Sequence, residues 1–147
     1  MAETQAITVV EEFPYAPAQV WRALTEPRLM AKWMMPSDFK PVVGHEFTMT
    51  GVPVPAVNFS GIVLAKVLEL VDARRLKISW TDDKRSVDWT VTWSLEPIDT
   101  GTRLTMVHDG FDLSSERQQM SYRVMGGGWV PMTRKIGDVL REEFQPA

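Results

Sequence analysis

The sequence of 147 residues contains no cysteine and only two histidines, His45 and His108. Without cysteine the chain can form no disulfide, carry no thiolate nucleophile and hold no cysteine-ligated zinc or iron–sulfur site. The two histidines lie far apart, which excludes the paired histidines of a zinc-binding HExxH helix. His45 and Glu46 are adjacent in a predicted strand and therefore point to opposite faces, so they cannot chelate one ion together. We expect no metal and no cofactor.

Long apolar runs and an excess of positive charge are also missing. The most apolar stretch, residues 62–71, contains Lys66 and Glu69 and is too short to span a bilayer. The first residues lack the basic and apolar regions of a signal peptide. The net charge of -3 argues against a nucleic-acid partner. We expect a single domain over residues 1–147, located in the cytoplasm, with no membrane span and no nucleic-acid partner.

The residues that are abundant are apolar and bulky. Hydrophobic residues make up 44% of the chain, and they include six tryptophans and nine methionines. A chain of this length and composition can bury a sizeable core. Any function must therefore use aromatic, thioether, carboxylate and hydroxyl groups, with His108 as the histidine of most interest.

Proline and hydroxyl residues mark two short helices near the start of the chain. Near-alternating apolar residues predict a strand over residues 5–13, which Pro14 ends. Pro17 predicts the first residue of one helix, where a missing N–H costs nothing. Thr25, followed by Glu26 and Pro27, predicts the capped start of a second helix.

A period of two replaces the helical spacing from residue 42 onward. Phe47 and Met49 alternate with polar residues and predict a strand, and prolines make residues 51–55 a loop. Four further strands are predicted over residues 58–70, 74–81, 86–96 and 101–109. Their short connections indicate an antiparallel meander.

The last part of the chain returns to helical spacing. Apolar residues recur every three or four positions from Trp129 to Phe144, and a helix can begin as early as Ser115. Residues 126–128 are three glycines, each costing roughly 1 kcal/mol relative to alanine in a helix. Whether they interrupt or kink this helix stays open. The predicted order is β-α-α followed by five strands and a helix, in which one long helix covers the apolar face of a curved six-stranded sheet.

Six stretches of this sequence resemble one protein family. They are FPYAPAQVWRALTEP at residues 13–27 with Trp33, LKISW at 76–80, WSLEP at 93–97, GTRLT at 101–105, HDGF at 108–111, and Gly128 with Trp129. Together they are similar to the activator of heat-shock protein 90 ATPase homologue-like proteins of the START-related (SRPBCC) superfamily. The resemblance implies an α+β helix-grip fold (START/pollen-allergen-like), with a cavity between the sheet and the C-terminal helix that the two short helices close.

The resemblance and the strand parity together suggest binding of a hydrophobic or aromatic small molecule. Trp80, Trp89 and Trp93 share the covered face of the predicted sheet, where their rings would form a floor for a flat ligand. The predicted ligand-binding residues are Trp33, Met35, Phe47, Met49, Trp80, Trp89, Trp93, Met106, His108, Trp129 and Met132. Each of them is explained equally well as part of an ordinary core.

His108 is a candidate catalytic residue. Its parity with Leu104 and Met106 turns it toward the covered face, where an imidazole needs a partner. It would then bind a ligand carbonyl or act as a general acid or base. Alternatively, it is a buried histidine that is satisfied by neighbouring groups.

Two other functions are open alternatives. The first is an enzyme of the cyclase, aromatase or hydrolase type found in the superfamily, acting in the same cavity. The second is co-chaperone-like stimulation of a heat-shock protein ATPase. The chain corresponds, by resemblance, to the C-terminal domain of the activators, so a chaperone partner is not expected. A homodimer through a sheet edge or the loop at Pro53 is a further possibility.

Overall fold

One curved antiparallel sheet and one long helix make up most of the molecule, in a computed structural model that describes residues 4–57 and 59–144. The six strands lie in the order β1-β6-β5-β4-β3-β2, and each pairs antiparallel with its neighbours. The elements in chain order are β1 (Thr4–Phe13), α1 (Pro17–Thr25), α2 (Pro27–Trp33), β2 (Glu46–Thr50), β3 (Ile62–Val71), β4 (Arg75–Asp82), β5 (Trp89–Ile98), β6 (Gly101–Asp112) and α3 (Glu116–Glu143). The predicted α+β helix-grip fold is confirmed.

The two short helices begin where the prolines predicted, but the second is not capped as expected. Pro17 and Pro27 are the first residues of α1 and α2. The residue before α2 is Glu26, whose side chain makes no capping hydrogen bond. The Thr25 hydroxyl instead donates to the Trp21 carbonyl, 2.8 Å away, because Thr25 is still the last residue of α1.

Ion pairs fasten these short helices to the end of α3. Arg22 on α1 and Arg28 on α2 both bind the Glu143 carboxylate, at 3.2 and 2.8 Å. The hydrogen bond from Arg28 holds the pKa of Glu143 below its usual value. These pairs join both short helices to the C-terminal end of α3.

Strand β3 begins later than the alternation predicted. The predicted first residue, Asn58, lies outside the described residues, and Pro55–Val57 form a short 3-10 helix. The strand starts at Ile62, after Gly61, whose φ of +98° favours glycine. A Cβ on Gly61 would lie 2.8 Å from the carbonyl oxygen of Gly51. The two ends of the β2–β3 loop therefore lie close together at Gly61, and β3 begins only after this residue.

The bounds of β5 and β6 also differ from the prediction. Ser86 does not start β5, because its backbone N–H donates to the Asp82 carboxylate at 2.7 Å and closes a turn. β5 therefore begins at Trp89. At its far end β6 continues to Asp112, past the predicted turn at Asp109, because Gly110 adopts a φ of +105° close to the Asp88 carbonyl.

The three glycines do not break α3. The helix runs without interruption from Glu116 to Glu143, although Pro131 also lies inside it and donates no backbone hydrogen bond. Ser115 caps its start by accepting a hydrogen bond from the Gln118 N–H at 3.3 Å. Most helical stability in proteins comes from packing of a buried face. Trp129 and Leu140, which are buried against the rest of the molecule, supply that packing beyond the glycines.

The covered face of the sheet matches the predicted parity. Trp80 on β4, Trp89 and Trp93 on β5, and Met106 and His108 on β6 are all buried. The residues between them on these strands, such as Thr90 and Thr92, are more exposed. The strand alternation alone therefore placed the tryptophans beneath α3.

Two glycine substitutions are expected to change stability in opposite directions. Gly101 has a φ of +142°, and its Cβ would lie 2.1 Å from the Phe13 carbonyl oxygen, so Gly101→Ala should lower the free energy of unfolding by more than about 1 kcal/mol. Gly127 is exposed on α3 with nothing within 4 Å of its Cβ, so Gly127→Ala should raise it by about 1 kcal/mol. Urea unfolding followed by tryptophan fluorescence measures both. A gain of stability in Gly101→Ala would contradict this description of the β5–β6 turn.

Candidate ligand-binding site

A cavity of about 620 Å³ lies between the sheet, α3 and the loop that connects β2 to β3. Its wall comes from the segment after α2, the β2–β3 loop, the facing ends of β4 and β5, and the cavity-facing side of α3. The large apolar side chains that line it are Met34, Met35, Phe59, Trp80, Trp89, Met125, Trp129 and Met132. The cavity is therefore walled mainly by aromatic rings and thioethers.

Five of the predicted ligand-binding residues line this cavity. They are Met35, Trp80, Trp89, Trp129 and Met132. Four different elements or segments of the fold contribute them, and each of the three tryptophans is nearly fully buried. The structure thus brings these distant positions in the sequence around one space.

The other six predicted residues do not line the cavity. Trp33, Phe47, Met49, Trp93, Met106 and His108 are buried in the core. Trp33 donates its indole N–H to the Ala23 carbonyl at 2.8 Å and packs edge-on against Trp93. Parity determines which face of a strand a side chain occupies. It does not determine where along that face the helix lies close enough to fill the space.

Several lining residues were not predicted from the sequence. Val54, Val57 and Phe59 come from the β2–β3 loop, and a second group comes from the first half of α3. That second group includes Gln118, Ser121 and Met125, which recur at three- and four-residue spacing. This spacing is visible in the sequence. The three glycines at residues 126–128 separate it from Trp129, so the sequence did not show that both parts belong to one continuous helix face. The loop residues gave no periodic signal.

His108 lies inside a cluster of aromatic rings next to the cavity. Trp129 donates its indole N–H to His108 Nδ1 at 2.9 Å, so Nδ1 is the acceptor and the neutral ring carries its proton on Nε2. The rings of Phe111, Trp89 and Trp80 lie 4.5, 5.0 and 5.5 Å from the imidazole. Among the described residues Nε2 has no hydrogen-bond partner.

Burial lowers the pKa of His108 from 6.5 to about 3, because the surrounding rings cannot solvate a charged imidazolium. The residue is neutral near pH 7 and does not line the cavity. Its contact with the site is indirect. By accepting the indole N–H it fixes the orientation of Trp129, whose ring forms part of the cavity wall.

Polar groups line the cavity at the end nearest the start of α3. Gln118 Oε1 accepts the Asp112 N–H at 2.7 Å and the Trp89 indole N–H at 3.2 Å. Arg117 donates to the Ser86 hydroxyl at 3.2 Å. These bonds join α3 to β6, to β5 and to the turn after β4, and they hold the ring of Trp89 in the wall.

Within residues 4–57 and 59–144, no three or more Asp, Glu or His side chains are grouped so that they could hold a metal ion. In the same part of the chain, no helix has both the length and the apolar character that crossing a membrane requires.

Comparisons with known proteins agree with this fold. Residues 14–141 match the family described as Activator of Hsp90 ATPase homolog 1-like protein. The crystal structure of protein MLL2253 from Mesorhizobium loti is 30% identical, with a TM-score of 0.81, and the match covers 94% of this chain and 98% of that one. The solution structure of Bacillus halodurans protein BH1534 is 23% identical, with a TM-score of 0.75 and coverage of 95% and 99%.

CalU16 from Micromonospora echinospora has the same fold, at 24% identity and a TM-score of 0.73, with 95% of this chain and 78% of that chain covered. The comparison with curated proteins gives no match.

The buried His108 predicts a specific dependence of stability on pH. Above pH 6.5 the imidazole is neutral in both the folded and the unfolded chain. Between 6.5 and about 3 the unfolded chain binds a proton that the folded chain does not. Stability should therefore fall on acidification through this window, by up to about 1.4 kcal/mol per pH unit.

Urea unfolding at several pH values, for the natural chain and for His108→Gln, isolates this effect from that of the carboxylates. The variant should lack this part of the slope, whereas His45→Gln, which keeps the buried imidazole, should retain it. NMR of the histidine rings gives an independent readout, because the His108 signals should not titrate between about pH 8 and pH 5. A titration midpoint near 6.5 would contradict the burial described here.

Proposed function

We propose that this chain, which belongs to the Activator of Hsp90 ATPase homolog 1-like protein family, binds a hydrophobic or aromatic small molecule in the cavity between the sheet and α3. The observation that carries the proposal is the cavity itself, about 620 Å³ in volume and walled by Trp80, Trp89 and Trp129. The helix-grip fold is of a type that binds small hydrophobic ligands, which supports the same conclusion.

The size of the cavity favours a ligand rather than a packing defect. Ligand pockets usually have volumes of roughly 300–1,000 Å³. Voids in protein cores are seldom larger than a water molecule, because interiors pack as densely as organic crystals. A chain with this many large apolar side chains could fill such a space, so an opening of this volume supports the proposal that a ligand occupies it.

The chemistry of the wall favours a flat or aromatic occupant. The Trp80 and Trp129 rings lie 5.8 Å apart at 62°, and both belong to the lining. Aromatic rings in such tilted arrangements offer both faces and edges to another ring. Their orientations are fixed, in part by the hydrogen bond from Trp129 to His108. The binding surface is thus already arranged before a ligand enters.

Methionines complete the wall and give it some adaptability. Met34 and Met35 follow α2, while Met125 and Met132 lie on α3, so that thioethers face the cavity from two sides. Unbranched methionine side chains adjust to partners of different shapes. We therefore expect tolerance for related apolar compounds rather than recognition of a single shape.

Acid–base catalysis in this cavity has less support. The imidazole of His108 is neutral near pH 7 and does not line the cavity. The lining carboxylate, Asp82, accepts hydrogen bonds from Ser86. Partial burial raises the pKa of Asp82, but the hydrogen bonds from Ser86 and Lys84 outweigh it and hold the pKa below its usual value. A carboxylate stabilised in this way is a poor proton acceptor at neutral pH.

Filling part of the cavity should weaken binding. Gly128 lines the cavity, and nothing lies within 4 Å of a Cβ at this position, so a leucine side chain there would extend into the open space. Gly128→Leu should weaken binding of 1-pyrenebutanol, a flat neutral probe, by at least about tenfold, or 1.4 kcal/mol. Binding is measured by energy transfer from the tryptophans of the cavity wall to pyrene.

Gly127→Leu is the matched control, because it makes the same substitution on the same helix at an exposed position outside the cavity. It should bind the probe as the natural chain does. Circular dichroism and urea unfolding establish that both variants are folded. Equal losses of affinity in the two variants, or no binding of the probe to the natural chain at micromolar concentrations, would refute the proposal.

A further inference from the structure

The cavity wall changes character along α3. The lining residues of its first two turns, Arg117, Gln118 and Ser121, are polar. Those farther along, Met125, Gly128, Trp129 and Met132, are apolar or lack a side chain. Because one helix face carries both groups, the cavity has a polar end and an apolar end separated along the helix axis.

Gln118 presents a hydrogen-bond donor at the polar end. Its Oε1 accepts two N–H groups, from the backbone of Asp112 at 2.7 Å and from the indole of Trp89 at 3.2 Å. Two N–H donors can be accepted only by the oxygen of the amide, which fixes the orientation of the group. The amide NH₂ is therefore the part of Gln118 that remains for a ligand.

Ser121 adds a second polar group at this end of the cavity. It lines the cavity and is 7% exposed, yet its hydroxyl makes no hydrogen bond to the described residues. Serines in helices often bond the carbonyl one turn earlier, as Thr25 does on α1. The absence of that bond leaves the Ser121 hydroxyl available toward the cavity.

Arg117 supplies a positive charge at the same end. One of its guanidinium nitrogens, Nη2, donates to the Ser86 hydroxyl at 3.2 Å, and its remaining N–H groups form no hydrogen bond to the described residues. Asp82 also lies at this end and is ionised, since partial burial raises its pKa less than hydrogen bonds from Ser86 and Lys84 and the charge of Arg117 lower it, so it offsets part of the positive charge. Its oxygens already accept hydrogen bonds from the backbone N–H and the hydroxyl of Ser86, whereas N–H groups of Arg117 and Gln118 and the Ser121 hydroxyl have no acceptor among the described residues. The available groups are therefore mainly donors, and the positive end of the α3 dipole adds to their effect.

From this arrangement we infer that the ligand is amphipathic, with an apolar or aromatic body against Trp129 and Met132 and a carboxylate at the end beside Arg117, Gln118 and Ser121. The inference rests on the proposed function and specifies the class of molecule that the same cavity takes. A carboxylate matches the site because its two oxygens only accept hydrogen bonds and because it pairs with a guanidinium.

The test compares two probes that share one apolar body. The first is 1-pyrenebutyric acid and the second is 1-pyrenebutanol, which carries a neutral hydroxyl in place of the carboxylate. The acid should bind the natural chain about five- to tenfold more tightly at neutral pH, as expected for charge-assisted hydrogen bonds at a solvent-accessible cavity end. This preference should shrink as salt is added, because the guanidinium is exposed.

Variants locate the preference in the molecule. Arg117→Gln and Ser121→Ala should each lower the ratio of acid to alcohol affinity by at least about threefold, since each removes a donor from the polar end. Arg123→Gln is the matched control. It removes the same charge from the same helix at an exposed position that does not line the cavity, and should leave the ratio unchanged.

The outcomes separate this inference from the proposed function. If both probes bind equally, or the alcohol binds more tightly, the inference is overturned and the proposed function stands. If the acid is preferred but Arg117→Gln and Arg123→Gln reduce the preference to the same extent, the carboxylate does not bind at this end and the inference is again overturned. If neither probe binds, the proposed function itself fails.

Discussion

The packing of Trp129 against the aromatic face of the sheet is the contact on which the rest of the structure depends. Its ring lies 5.8 Å from Trp80 and 6.2 Å from Trp93, and its N–H donates to His108. These partners come from three adjacent strands, so one side chain holds the middle of α3 to the centre of the sheet. Because Trp129 directly follows three glycines, it also keeps the helix in place where its own backbone propensity is weakest.

The same residue also forms part of the cavity wall. The hydrogen bond from Trp129 requires a buried, neutral histidine, whose pKa is lowered by burial among rings. With the indole held in this orientation, its ring lines the cavity and does not fill it. Between Trp129 and the start of α3, where Gln118 joins the helix to β5 and β6, residues of α3 and of the sheet line an open space. Rigid aromatic rings and adaptable methionine side chains line this space together.

The fold was predictable because it depends on local signals that agree with one another. Pro17 and Pro27 mark helix starts by the geometry of their own rings, and the strands are visible in the alternation that ends with Trp89, Val91, Trp93 and Leu95. Two of the predictions that were wrong, the cap at Thr25 and the start of β5 at Ser86, concern single hydrogen bonds. In both cases a hydroxyl or backbone group has two nearby partners, and the sequence does not say which it takes.

The sequence by itself determined the order of the elements and the face of the sheet on which each tryptophan lies, since these follow from the periodicity of side chains along a strand or helix. It also indicated the family, through the resemblance of several short stretches such as residues 13–27. Only the tertiary structure decided that Trp80, Trp89 and Trp129 line a cavity while Trp33 and Trp93 fill the core. Likewise, it decided that His108 binds Trp129 and that Arg117, Gln118 and Ser121 form a polar end. Whether a buried side chain meets a neighbour or an open space depends on the distance between two packed elements, and that distance is set by all their contacts together.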